Sequence, residues 1–158
     1  MMRCPSGVDN MFRGNSLAKI DAKGRLKLPA IFRALIEPKL GKEFFITILR
    51  GRSVRVYPME FWIEFENILA AMPSMNPTVI KIRNIVNFYG QTAVMDSQGR
   101  VLLHPLARSK VGIDGEVAVM GQGNHLAICN RTAFEQQLDD DPLTDEDLLN
   151  LAELENLR

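Results

Sequence analysis

Histidine and cysteine are nearly absent from this chain, which holds two of each in 158 residues. Cys4 and Cys129 lie far apart and lack the paired Cys/His spacing of a zinc site, so neither a resident metal nor a disulfide framework is expected, and Cys129 reads as a buried thiol. His104 and His125 stand alone in the sequence, without a nucleophile whose proton either could take; His104, just before Pro105, reads as a strand-end residue. An enzyme is therefore not expected, nor a small-molecule substrate. The sequence also lacks an apolar run long enough to cross a bilayer and shows no leader-like segment, so a reduced cytoplasmic setting is expected. No cofactor motif is present: Gly121-Gln-Gly-Asn124 misses the Lys-Ser/Thr of a phosphate-binding loop and reads as a hairpin turn. Aromatic residues are sparse. The single Trp62, with Phe61 and Phe65 at helical spacing, reads as core and not as a platform for stacked bases.

Net charge is missing as well, with 19 basic and 19 acidic residues, but the zero is a sum of unlike parts. Residues 139–158 carry eight acids and one base, a net of −7, which leaves +7 on the rest. A basic body with an acidic tail is the asymmetry of a chain with a polyanionic partner, and equally of one whose tail is simply solvated.

What the sequence does contain is a duplication. Asp21-Ala-Lys-Gly-Arg25 and Asp96-Ser-Gln-Gly-Arg100 lie 75 residues apart, each flanked by alternating apolar residues. Around the first, Leu17, Ile20, Leu26 and Leu28 predict strand, turn, strand. Asp21 is placed to bond the backbone two residues on, and Gly24 supplies the positive φ. Pro29 then opens a short helix through Ile36, closed by Pro38 and Gly41; Phe44 to Ile48 and Val54 to Val56 form two strands; Pro58 to Ala71 forms a helix. The second half repeats the order around Asp96 and Gly99, with a short helix from Pro105, strands at Val117–Val119 and Leu126–Ile128, and a helix over 131–138. The organisation expected is residues 1–10 as a disordered extension, 11–71 as a first half, 72–88 as a connector helix, 89–138 as a second half, and 139–158 as an acidic tail with an amphipathic helix over 144–157. Each half is too small to bury a sufficient core alone, so each is expected to share a core with the other or with neighbouring subunits. The class expected is α+β, predominantly β.

Arg13, Lys19, Lys23, Arg25 and Lys27 fall within fifteen residues. On a two-stranded hairpin the odd-numbered positions share a face, making a cationic ribbon of the kind that enters the DNA major groove. The same residues also fit a solvated strand face, with Arg25 paired to Asp21 to brace the turn.

Met11-Phe-Arg-Gly14, Asp21-Ala-Lys-Gly-Arg-Leu26, Leu28-Pro29 and Phe32-Arg33, followed by Tyr89-Gly90 and Asp96-Ser-Gln-Gly-Arg100, closely resemble the MraZ family of bacterial transcriptional regulators, associated with the division and cell-wall gene cluster. The likeness covers about residues 11–138. It implies two tandem swapped-hairpin, AbrB-like halves (a double-split β-barrel) with peripheral helices, assembly into a homo-oligomeric ring, and nucleoid-associated binding to repeated sites in promoter DNA. Arg25 and Arg100 match the motif arginines, with Lys23 and Arg13 beside the first. The second copy departs from the first, because Ser97 and Gln98 leave Arg100 as its only cation. The first motif is thus expected to dominate DNA contact. The alternative is an oligomeric protein-interaction module, or an antitoxin-like partner of the same fold.

Overall fold

The computed structural model describes residues 11–50 and 52–156. The expected disorder of residues 1–10, Cys4, and the last two residues of the acidic tail lie outside them.

In chain order the elements are β1 (Asn15–Lys19), β2 (Arg25–Lys27), α1 (Ala30–Leu35), a π-helical turn (Ile36–Leu40), β3 (Glu43–Thr47), β4 (Val54–Pro58), α2 (Met59–Ala70) and α3 (Pro77–Phe88). The second half follows with β5 (Gln91–Val94), β6 (Arg100–Leu102), α4 (Pro105–Val111), β7 (Glu116–Gly121), β8 (Leu126–Cys129), α5 (Arg131–Asp140) and α6 (Asp145–Asn156). Helices hold more of the described residues than strands do, so the fold is mixed helix and sheet and not predominantly β. The alternating apolar runs are short, whereas the amphipathic stretches are two to three turns long.

Pro38 does not close the first short helix. The chain passes through it in π geometry and stops at Gly41, whose N–H bonds Ile36 O at 3.2 Å with φ +78°. In an α-helix a proline at this point would clash with the carbonyl of Ala34; the wider turn relieves that clash without ending the helical path.

The strands form a six-stranded sheet, β1-β7-β8-β4-β3-β5, and a two-stranded sheet, β2-β6, antiparallel throughout. Here the simple hairpin expected around Asp21 is corrected. β1 pairs with β7 and β2 with β6; only a single bridge, Ile20↔Leu26, joins the two sides of the turn. Alternation in a sequence specifies which face of a strand is buried but not which strand lies beside it. Exchanging the halves leaves the pattern unchanged: β5 pairs with β3 as β1 does with β7, and β2–β6 and β4–β8 pair across the centre.

Leu26, Leu28, Ile36 and Phe44 from the first half and Val101, Leu103, Leu126 and Ile128 from the second are all buried and belong to one cluster. Phe61 and Trp62 of α2 join it; Trp62 stacks on Phe45 with centroids 4.5 Å apart and donates Nε1–H to Glu66 at 2.9 Å. Buried Thr47 donates its hydroxyl to Val86 O at 2.6 Å, tying β3 to α3. Asn76, His104 and Asn130 cap α3, α4 and α5 by accepting first-turn N–H groups.

Candidate nucleic-acid interface

The two motif turns are built alike, atom by atom. Asp21 Oδ1 accepts the backbone N–H groups of Lys23 and Arg25, each at 2.9 Å, and Oδ2 accepts Arg25 Nε–H at 2.8 Å. Asp96 does the same for Gln98 and Arg100, at 2.9, 2.9 and 2.8 Å. Gly24 and Gly99 sit at φ +85° and +78°, a conformation that costs a side-chain-bearing residue steric strain. The backbone N–H of Arg25 holds the Asp21 carboxyl below its ordinary pKa; desolvation opposes it, and the Arg25 guanidinium and the Lys23 N–H add smaller lowering effects, with Arg100 and Gln98 acting on Asp96 in the same order. Both carboxylates stay ionised and their turns stay closed at neutral pH.

Each turn is backed by the opposite half. Arg33 of α1 donates Nε–H to Leu28 O at 2.9 Å and lies over Gly99, where an added Cβ would stand 2.5 Å from Arg33 Cδ. Arg108 of α4 donates to Leu103 O at 3.0 Å and lies over Gly24, with Nη2 at 2.9 Å from such a Cβ. Leu28 N–H bonds Gly99 O and Leu103 N–H bonds Gly24 O, both at 2.9 Å. Arg33 and Arg108 were not singled out from the sequence as site residues. Their common 75-residue offset, the same as that of the motifs, is the signal that marks them.

The β2–β6 ribbon places side chains on two faces. Leu26 and Val101 point into the core, at 0% and 1% exposure, while Arg25, Lys27, Arg100 and Leu102 alternate onto the outer face. Lys27 is in register with Arg100, and Arg25 with Leu102. The cationic ribbon therefore exists, but it is made from one strand of each half, and it joins the two motif arginines that lie far apart in sequence. Exposed Lys23 sits in the first turn. Lys19 ends β1 opposite Glu116 and lines, with Lys27 and Arg33, a cavity of about 320 Å³ floored by Leu17, Ala18 and Leu28. Arg13 is exposed and lines a separate cavity with Phe12 and Ile31.

The halves match in geometry but not in chemistry. At the same offset, Lys19, Lys23 and Lys27 are answered by Val94, Gln98 and Leu102, and Val94 and Leu102 are 66% and 53% exposed. At two of these three positions one half is cationic where the other is apolar, and at the third a lysine is matched by an uncharged glutamine.

His125 is buried against the Tyr57 ring, centroids 4.7 Å apart, with Nδ1 2.8 Å from Asn124 Oδ1. Burial, reinforced by the nearby Arg55 charge, lowers its pKa to about 4. Cys129 is buried, and desolvation raises its thiol pKa. Among the described residues no group of His, Cys, Asp and Glu could hold a metal ion, and no helix is long and apolar enough to cross a membrane.

Fold and site define a class: a tandem-repeat protein whose halves interleave their strands and jointly present a ribbon of paired-motif arginines. The family profile for the MraZ protein, whose description also carries the word antitoxin-like, matches residues 11–83 and again 88–152. The chain is 44% identical over 143 residues to a protein of Acidobacterium capsulatum (90% of this chain, 98% of that one) and 46% identical over 145 residues to one of Koribacter versatilis (91% and 99%). An Escherichia coli protein is 31% identical over 132 residues, covering 83% of this chain and 87% of its own length. All three are named transcriptional regulator MraZ. The chain belongs to the MraZ family.

Proposed function

We propose that this chain is a non-catalytic, sequence-specific DNA-binding transcriptional regulator, acting in the bacterial cytoplasm on the nucleoid at repeated promoter sites of the division and cell-wall gene cluster. The observation that carries the reading is the β2–β6 pairing, which gathers Arg25, Lys27 and Arg100 on one outward face with Lys23 at its end. A two-stranded ribbon of this width suits the major groove, where an arginine fork reads guanine and lysine neutralises phosphate. The Asp–Arg pairs position the guanidinium groups before DNA arrives, which lowers the ordering cost of binding.

Ring assembly fits the same frame. Exposed Val94 and Leu102 offer apolar surface where their first-half counterparts are lysines, and β1 and β5 are open sheet edges. Several weak contacts on one assembly add avidity of roughly 10² to 10⁴ when spacing permits simultaneous engagement.

Arg25→Ala tests the reading. Loss of one arginine–base pair weakens promoter binding about 10- to 100-fold, while Arg25→Lys retains the salt dependence but not the sequence preference. Arg100→Ala has the smaller effect. A folded Arg25→Ala protein that binds promoter DNA as tightly as the parent removes Arg25 from the interface. Co-purification of a basic protein partner, with no promoter affinity, favours the antitoxin-like reading instead.

A further inference from the structure

The acidic helix α6 carries an apolar stripe that is exposed among the described residues. Leu148, Leu149, Leu151 and Leu154 are 51–65% exposed, and every described residue of the helix is exposed. Its start is well made: Asp147 accepts from Thr144 N–H and Oγ1–H, each at 2.9 Å, and Thr144 Oγ1 accepts from Asp147 N–H at 3.1 Å. A single twelve-residue helix is nonetheless marginal in water, and packing of its apolar face is the usual source of its stability.

The body offers a matching surface beside the point where the tail leaves it. α5 flanks a groove with an apolar floor of Leu17, Ala118, Met120, Phe134 and Leu138. Leu17 is also a wall of the cavity that holds Lys19, Lys27 and Arg33. The two depressions thus meet at β1, apolar on the α5 side and cationic on the ribbon side. Only residues 141–144 separate α5 from α6, a link that reaches about 13 Å when extended. The tail's net −7 complements the cations, and its leucines complement the floor.

We propose that α6 folds back along β1 of its own subunit, leucines on the Leu17 floor and carboxylates toward Lys19, Lys27 and Arg33, and so competes with DNA for the ribbon. The effect on DNA rests on the DNA-binding reading above; the docking itself does not. The docked tail screens the face against non-specific phosphate contacts and yields to a site that also offers base contacts. The second half has no such surface, since Val94 and Leu102 stand where Lys19 and Lys27 do.

The experiment compares the full chain, a truncation lacking residues 139–158, and a tail of reduced charge (Asp145→Asn, Glu146→Gln, Glu153→Gln), which falls from net −7 to net −4. Amide hydrogen exchange without DNA reads docking. In the truncated chain β1 and β2 exchange faster than in the full chain while β5 and β6 are unchanged, and α6 amides exchange faster in the reduced-charge chain. Affinity for a random-sequence duplex reads competition, with a roughly 5- to 10-fold gain on truncation. Exchange at β1 and β2 that ignores the tail overturns the proposal, as does faster exchange at β5 and β6 instead. Tail-dependent protection in a protein with no DNA affinity leaves the docking standing and removes the regulator reading. Protection with DNA affinity unchanged on truncation overturns the competition.

Discussion

At the scale of single residues, the two aspartates of the repeated motif do structural work that the sequence alone makes visible. Asp followed by Gly at the third place and Arg at the fourth encodes a turn through short-range hydrogen bonds, so all its partners lie within four residues. Pairing Arg25 to Asp21 to brace the turn and using Arg25 toward a ligand are compatible, because the ion pair shown is made through Nε and the side chain stays 31% exposed. His125 is the residue whose chemistry is legible only in three dimensions. With a folded pKa of about 4 against 6.5 in the unfolded chain, protonation favours unfolding. The stability it permits is complete above pH 6.5 and declines as pH falls toward 4. The lowered carboxylates Asp21, Asp96 and Asp147 lose their contributions only below 3.8. Between pH 7 and 5 the chain is therefore expected to lose on the order of 2 kcal/mol through this one group. Chemical denaturation at both pH values checks this, and a loss of the same size in His125→Gln assigns the slope elsewhere.

At the scale of elements, the informative unit is the turn together with the helix arginine from the other half. Alanine at Gly24 or Gly99 strains a left-handed backbone by about 1–2 kcal/mol. The two differ in what the new methyl meets. At Gly24 it meets the mobile end of Arg108, but at Gly99 it meets Cδ of Arg33, nearer the backbone. Gly99→Ala is expected to lower the melting temperature more than Gly24→Ala, and Arg33→Ala, which clears the space, to offset part of its loss in a double-mutant comparison. Equal losses at both glycines show that only the φ strain matters. Strand positions and most helices follow from apolar periodicity, as at Phe44, Ile46 and Ile48 or along α2. The partner of β2 does not, because period-two alternation is satisfied by any neighbour that covers the same face.

At the scale of the whole molecule, interleaving makes the halves inseparable. β1, β2 and β4 each take a strand of the second half as partner, and β5 takes β3. Residues 11–71 made alone leave β1, β2 and the outer edge of β4 unpaired, and expose Leu26 and Leu28. No cooperative unfolding of the monomeric fragment is expected until residues 89–138 are added; a cooperative transition in the isolated monomer contradicts the shared core. The duplication, the two turns, the apolar faces of most elements and the charge division between body and tail are legible along the chain, because each depends on residues close in sequence or on a simple sum. Only folding brings Arg25 and Arg100 onto one ribbon, sets Arg33 and Arg108 each behind the other half's turn, and puts Lys27 opposite Arg100 and Arg25 opposite Leu102. Those relations join residues far apart along the chain and arise from which strand covers which, a choice made by burying both halves in one core.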